Sequence, residues 1–184
     1  MNDKNLATAS EVVTFWREAG PEAWFKKDDA FDATIRDRFL PTYEAAAGGE
    51  LSSWEGHAEG ALALLILLDQ FPRNMFRGSP RMFETDPIAR AIAASALVRD
   101  FDAQSPPNMR SFFYLPFEHS ESMKDQERSV ALFKATGDAD LLKWADIHAD
   151  IIRRFGRFPH RNAVLGRETT PEEQAFLDAD GFKG

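Results

Sequence analysis

The stretch "SMKDQERSVALFKATGDADLLKWADIHADIIRRFG", Ser122 to Gly156, decides the fold class. Two runs, Ser122 to Ala135 and Asp138 to Phe155, are separated only by "TGD", a connection short enough to set neighbouring helices antiparallel. In the second run Leu141, Ala145, His148, Ile152 and Phe155 recur at three- and four-residue spacing, which marks one inward face of a helix. Gly156 supplies the C-terminal stop, because glycine enters the left-handed conformation that ends a helix at no steric cost.

Helix-start signals recur on either side of this hairpin. Thr8-Ala-Ser-Glu11 and Ser52-Ser-Trp-Glu55 have capping-box spacing ahead of "VVTFW" and of the apolar run Ala61 to Leu68. Asp86 followed by Pro87 predicts an N-cap before a first-turn proline, and Thr170-Pro-Glu-Glu173 combines that device with a capping box. Phe31, Ile35 and Phe39 line one face of a helix from Asp28 that Pro41 should end or bend. The alanine-rich run Pro87 to Val98 predicts a helix that a neighbour approaches closely. Alternating apolar and polar runs are missing. The expectation is an all-α fold of packed antiparallel helix hairpins, with about eight or nine helices in a single domain over residues 1–184.

Composition narrows the classes of function. Hydrophobic residues make up 43% and charged residues 28%, a globular mixture. The formal net charge of −8 argues against a nucleic-acid partner or an anionic membrane surface. The chain has no cysteine, so thiolate metal ligation is closed to it and a reducing, cytoplasmic setting fits. The opening "MNDKNLATAS" lacks the basic start and apolar run of a secretory signal. Ala61 to Leu68 falls far short of the roughly 20 apolar residues that cross a bilayer. No nucleotide-binding glycine loop, zinc-protease motif or nucleophile elbow occurs, and neither a cofactor nor a metal is expected.

Polar residues gather where helices are expected to stop. "QFPRN", Gln70 to Asn74, is echoed by "RFPHRN", Arg157 to Asn162, and both read as elbows after long helices. Asp69, Gln70, Arg73, Asn74 and Arg77 surround the first; Arg157, His160, Arg161 and Asn162 form the second. Arginine presents a planar fork suited to carboxylate or phosphate, and Asn or Gln fixes orientation. The alternative is plain helix termination, in which these donors satisfy the last carbonyls. Charge locality favours a site, since Arg153 to Arg167 holds five arginines and no acid.

The third cluster, "FEHSES", places Glu118, His119 and Glu121 as candidate acid or base groups, against the alternative that Ser120 and Ser122 cap the next helix with Glu121 near its positive end. His148 on its apolar stripe is either a core histidine with one hydrogen bond or a partner for Glu118 or Glu121. Tyr114 and Arg110 complete the candidate set. Sixteen phenylalanines and Trp16, Trp24, Trp54 and Trp144 are read as core filling rather than as a ligand cage.

"LLDQFPRNMFRG", "YLPFEHSE", "DQERSVALF" and "RFGRFPHRNAVLGRETTPEEQAFL" together resemble the bacterial family catalogued as domain of unknown function 924, over essentially the whole chain. The resemblance implies an all-helical domain of the tetratricopeptide-like superfamily and implies no reaction. Three functional expectations stand side by side. The first is binding of an anionic small molecule or peptide carboxylate in an Arg/His/Asn-lined pocket. The second is an enzyme of hydrolase or isomerase type using His119, His148 or His160 with Glu118 or Glu121 in that pocket. The third is a structural polar latch of arginine–carboxylate pairs.

Overall fold

A computed structural model describes residues 6–24 and 26–179. They are helical, and no strand occurs among them. The α-helices are α1 (Ala9–Ala19), α2 (Pro21–Trp24), α3 (Asp29–Ala47), α4 (Ala58–Leu65), α5 (Phe71–Met75), α6 (Asp86–Val98), α7 (Leu115–Glu118), α8 (Met123–Thr136), α9 (Ala139–Phe155) and α10 (Pro171–Asp178). A π-helical turn, Ile66–Gln70, joins α4 to α5 in one rod, so the α-helices among the described residues number 9. Among the described residues no helix is long and apolar enough to cross a membrane.

The chain forms two compact units. One comprises the residues up to Arg77 together with Arg81–Pro116; the other comprises Gly78–Pro80 and the residues from Phe117 onward. In the first, α1 packs on α4, α3 on α5, and α4 on α6. Ala89, Ala93 and Ala96 are buried on α6, where their small side chains admit the close neighbour that the sequence predicts. The tryptophan and phenylalanine rings fill this core: Trp16 stacks on Trp24 at 6.1 Å, Trp24 meets Phe112 edge-on at 4.9 Å, and Phe39 lies 4.9 Å from Phe71. In the second unit α8 and α9 form the antiparallel pair, with Gly137 left-handed at the turn and Gly156 left-handed at the end of α9. Ile151, Ile152 and Phe158 centre its core.

Local capping follows the sequence in several places. Thr8 and Thr170 each close a full capping box, and the Asp28 and Asp138 carboxylates accept from the first-turn N–H groups of α3 and α9. Four expectations need correction. Ser52–Gly56 is a 3-10 turn rather than the start of the long helix; α4 begins at Ala58, with His57 as N-cap accepting from the Gly60 N–H through Nδ1 at 2.9 Å. The N-cap of α6 is Thr85, and Asp86 is a helical residue whose carboxylate turns to Arg73. Pro41 neither ends nor bounds α3, which continues to Ala47. Ser122 makes no side-chain cap at α8; Ser120 Oγ instead accepts from the Ser122 N–H and donates to Asp125.

The first Phe-Pro is also no elbow. Pro72 lies inside the α4–α5 rod, and two compensations make this possible. The π-helical turn widens the backbone just ahead of the proline, with the Phe71 N–H bonded back to the Ile66 carbonyl. The Leu68 carbonyl, which a fourth-residue N–H at position 72 would normally take, accepts from Thr85 Oγ1 at 2.6 Å. The second Phe-Pro is a true elbow: α9 stops at Gly156, and a 3-10 turn, Pro159–Arg161, redirects the chain.

Candidate functional site

In the first unit the predicted polar residues are held by carboxylates. Arg73 spans Asp86 with a two-bonded fork at 2.9 and 3.0 Å, and also donates to the Asp69 carbonyl. Arg77 grips Asp32 through Nε at 2.8 Å and Nη2 at 3.0 Å, and Asn74 donates to the same carboxylate at 2.8 Å. Gln70 donates to Asp69. Asp32, Asp69 and Asp86 thus face the Arg73 and Arg77 guanidiniums. Burial opposes the charge on Arg73, but Asp86 and Asp69 outweigh it and hold its pKa above the ordinary value. The network ties α3, α5 and α6 together. Arg110 and Tyr114 also have partners in this unit: Arg110 donates to the Ala103 carbonyl at 3.3 Å, and the Tyr114 hydroxyl donates to Asp102 at 2.7 Å.

The second unit carries a different arrangement. Arg157 forks onto Glu173 at 2.6 and 2.8 Å, and Asn162 and the Thr170 N–H donate to the same carboxylate. The Arg157 bond first, and then the Thr170 cap, overcome burial and bring the Glu173 carboxyl down to about 2. Arg167 forks onto Glu121 at 2.7 and 2.9 Å, and the Phe158 N–H donates to Glu121 at 2.8 Å. Burial would raise the Glu121 carboxyl, yet these donors hold it below the usual carboxylate range. Arg153 and Arg154 pair with Asp150 and Glu172. Arg153, Arg154, Arg157 and Arg167 of the acid-free window are therefore each paired in space with an acid from outside it.

Arg161 is placed differently. It is 7% exposed, and its guanidinium carbon lies 4.5 Å above the Phe158 ring. The rings of His160 and His148 approach the same phenylalanine, at 5.5 and 5.6 Å between centroids. His148 reaches the Glu118 carboxylate, with Nδ1 3.3 Å from Oε1, and Nδ1 lies 2.8 Å from the Trp144 carbonyl. Glu118 is 4% exposed and His148 7%, so the pair is almost fully enclosed. Desolvation, then the charge on Arg161 and the proximity of His148, push His160 down to about 3, leaving it a neutral imidazole near neutral pH. His119 follows Glu118 and is partly exposed. Among the described residues no three His, Cys, Asp or Glu side chains are grouped to hold a metal ion.

The sequence pattern of a bacterial protein family of unknown function, DUF924, matches residues 12–181. The chain belongs to DUF924. A solved structure of a protein of unknown function from Agrobacterium tumefaciens is similar to it, with 49% identity and a TM-score of 0.90 over 93% of this chain and 97% of that one. A search of curated proteins finds no match.

Within this DUF924 chain the sequence-predicted residues fall into two sets, one per unit: Asp69, Gln70, Arg73, Asn74, Arg77, Arg110 and Tyr114 in the first, and Glu118, His119, Glu121, His148, Arg157, His160, Arg161 and Asn162 in the second. Sequence reasoning missed Asp32 and Asp86, which occupy the Arg77 and Arg73 forks, and Glu173 and Arg167, which complete the second network. It also missed Gln126. This residue is fully buried on α8, and its amide donates to the Glu118 and Ser120 carbonyls at 2.7 Å, fixing the segment that carries Glu118. The one available signal was a polar residue on the inward face of α8.

Proposed function

We propose that the second Phe-Pro elbow binds an anionic small molecule or peptide carboxylate, with Arg161 supplying charge and neutral His160 supplying a hydrogen-bond donor. The supporting observation is the gathering of Arg161, His160 and His148 around Phe158, with the Arg161 side chain buried. Holding a guanidinium away from water is costly, and concentrations of enclosed ionisable groups cluster at functional sites. The first Phe-Pro segment is less suited, because its Arg73 and Arg77 guanidiniums are each forked onto a carboxylate. The helix-hairpin architecture implied by the family resemblance is one that elsewhere binds peptides, a fold-level analogy that makes a peptide carboxylate worth testing beside inorganic anions.

Calorimetric titration of the full chain with inorganic phosphate, succinate and a short peptide with a free C-terminus tests this. Binding on the order of millimolar or tighter is expected for at least one probe. Arg161→Lys should weaken it about tenfold, since a point charge does not replace a fork. Absence of heat with every probe, or unchanged affinity in the variant, contradicts the reading.

A second reading, acid–base catalysis in the same cluster, is favoured by the enclosed contact between His148 and Glu118.

A further inference from the structure

We propose that His148 is the proton-accepting group of this cluster and works through Nε2, with Glu118 as the carboxylate that orients it and balances its charge. The proposal rests on the acid–base reading and deepens it by choosing among three histidines and assigning the reacting atom.

The hydrogen-bond chemistry of Nδ1 carries the argument. Nδ1 lies 2.8 Å from the Trp144 carbonyl oxygen, which has no hydrogen to give, so the ring must be the donor and Nδ1 bears the proton. The Glu118 carboxylate at 3.3 Å faces the same edge. With Nδ1 protonated, the lone pair of the neutral ring sits on Nε2. A carboxylate behind one imidazole nitrogen fixes the tautomer and stabilises the imidazolium that forms when the other nitrogen takes a proton.

The supporting frame is rigid. His148 is held by α9 and Glu118 by α7, whose end is clamped by the Gln126 amide through two carbonyls. The charged and titratable groups that act on the neighbouring His160 are Arg161, His148, Glu121 and Arg167. His160 is the poorer proton acceptor, because burial and the Arg161 charge disfavour the imidazolium it would form.

The substrate class that fits is a small anion anchored at Arg161 that undergoes an internal proton shift. Nε2 takes a proton from a C–H or O–H bond of the substrate, and the bonding electron pair stays on the substrate. The imidazolium charge is met by Glu118. Nε2–H then returns the proton to a second atom of the same molecule, so no oxidant, reductant or co-substrate enters the balance.

Two measurements on the full chain test the inference. Long-range 1H–15N spectra, recorded without any added anion and assigned with His148→Gln, read the tautomer and titration of His148. Protonated Nδ1 is expected in the neutral ring. The midpoint should fall by about one to three pH units in Glu118→Gln, because removing the carboxylate removes what favours the imidazolium. A ring protonated at Nε2, or an unmoved midpoint, overturns the proposal. Carbethoxylation by diethyl pyrocarbonate, followed by peptide mass spectrometry, tests whether Nε2 can be reached. His148 should react at a rate that follows its deprotonated fraction, and a His148 inert in the folded protein overturns the catalytic role even if the tautomer is as expected. Inorganic phosphate should slow the reaction several-fold; reaction with the expected tautomer but no phosphate protection supports the base assignment while counting against the anion-binding reading.

Discussion

Replacing Asp32 with alanine should destabilise the first unit by an amount that the geometry sets. The Asp32 carboxylate accepts from Asn74 at 2.8 Å and from Arg77 at 2.8 and 3.0 Å, and it is 6% exposed. The two donors suffer differently when it is removed. The Arg77 side chain is 35% exposed, so water can take over its fork and the loss there is that of a partly screened pair, about 0.5–1 kcal/mol. Asn74 is buried, and its amide loses its carboxylate with no solvent to replace it, at about 1–3 kcal/mol. The sum is about 1.5–4 kcal/mol. For a chain of this size that corresponds to a fall in Tm of about 3–16 °C. Urea unfolding followed by circular dichroism should show the midpoint lowered with the slope unchanged, since the surface exposed on unfolding is the same. Because the penalty lies mainly in the stranded Asn74 amide, Asp32→Ala combined with Asn74→Ala should cost less than the sum of the single changes. A loss below about 0.5 kcal/mol in Asp32→Ala, or strict additivity in the pair, would refute the reasoning that this network holds α3 to α5.

Three further outcomes follow from the same structure. Thr85→Val should cost about 1–2 kcal/mol in urea unfolding, because the buried Leu68 carbonyl beneath Pro72 loses its donor; an unchanged midpoint would mean that the proline needs no such compensation. Gly60→Ala should destabilise by more than about 2 kcal/mol, since the added Cβ would lie 2.2 Å from the Trp54 carbonyl oxygen and backbone must move to admit it. Stability should decline on acidification in two windows. His160, at about 3 in the folded state against 6.5 for a free imidazole, binds its proton first in the unfolded chain, so stability present above pH 6.5 is lost as the pH falls towards 3. Glu173, at about 2 against 4.5, adds a loss between pH 4.5 and 2. Unfolding curves recorded from pH 7.5 to 3 should show a shallower decline above pH 4.5 in His160→Gln, and an identical slope would contradict the buried neutral imidazole.

Features that depend on neighbours in sequence were legible. The boxes at Thr8 and Thr170 and the glycine stop at Gly156 each involve groups within a few residues, so spacing alone exposes them. Proline was read too strictly. Pro72 sits within a helical rod because Thr85, 17 residues from Leu68, supplies the Leu68 carbonyl with the hydrogen bond that the proline ring removes, and nothing in the local pattern announces that partner. Charge was misread for a related reason. The acid-free run from Arg153 to Arg167 looked basic, but Glu121, Glu172 and Glu173 come from other elements to meet it. His148 shows both sides of the problem: its helical stripe correctly turned it inward, while the choice between a lone core histidine and a partner for Glu118 needed the fold.

The most direct test of the anion site is a map of where an anion acts on the 15N-labelled full chain. Titration with inorganic phosphate should shift the side-chain and backbone signals of Arg161, His160 and their neighbours in the Pro159–Arg161 turn. In a folded Arg161→Lys variant the same shifts should need about tenfold more phosphate. Shifts confined to Arg73 and Arg77, or none at all, would contradict the assignment of function to the second elbow.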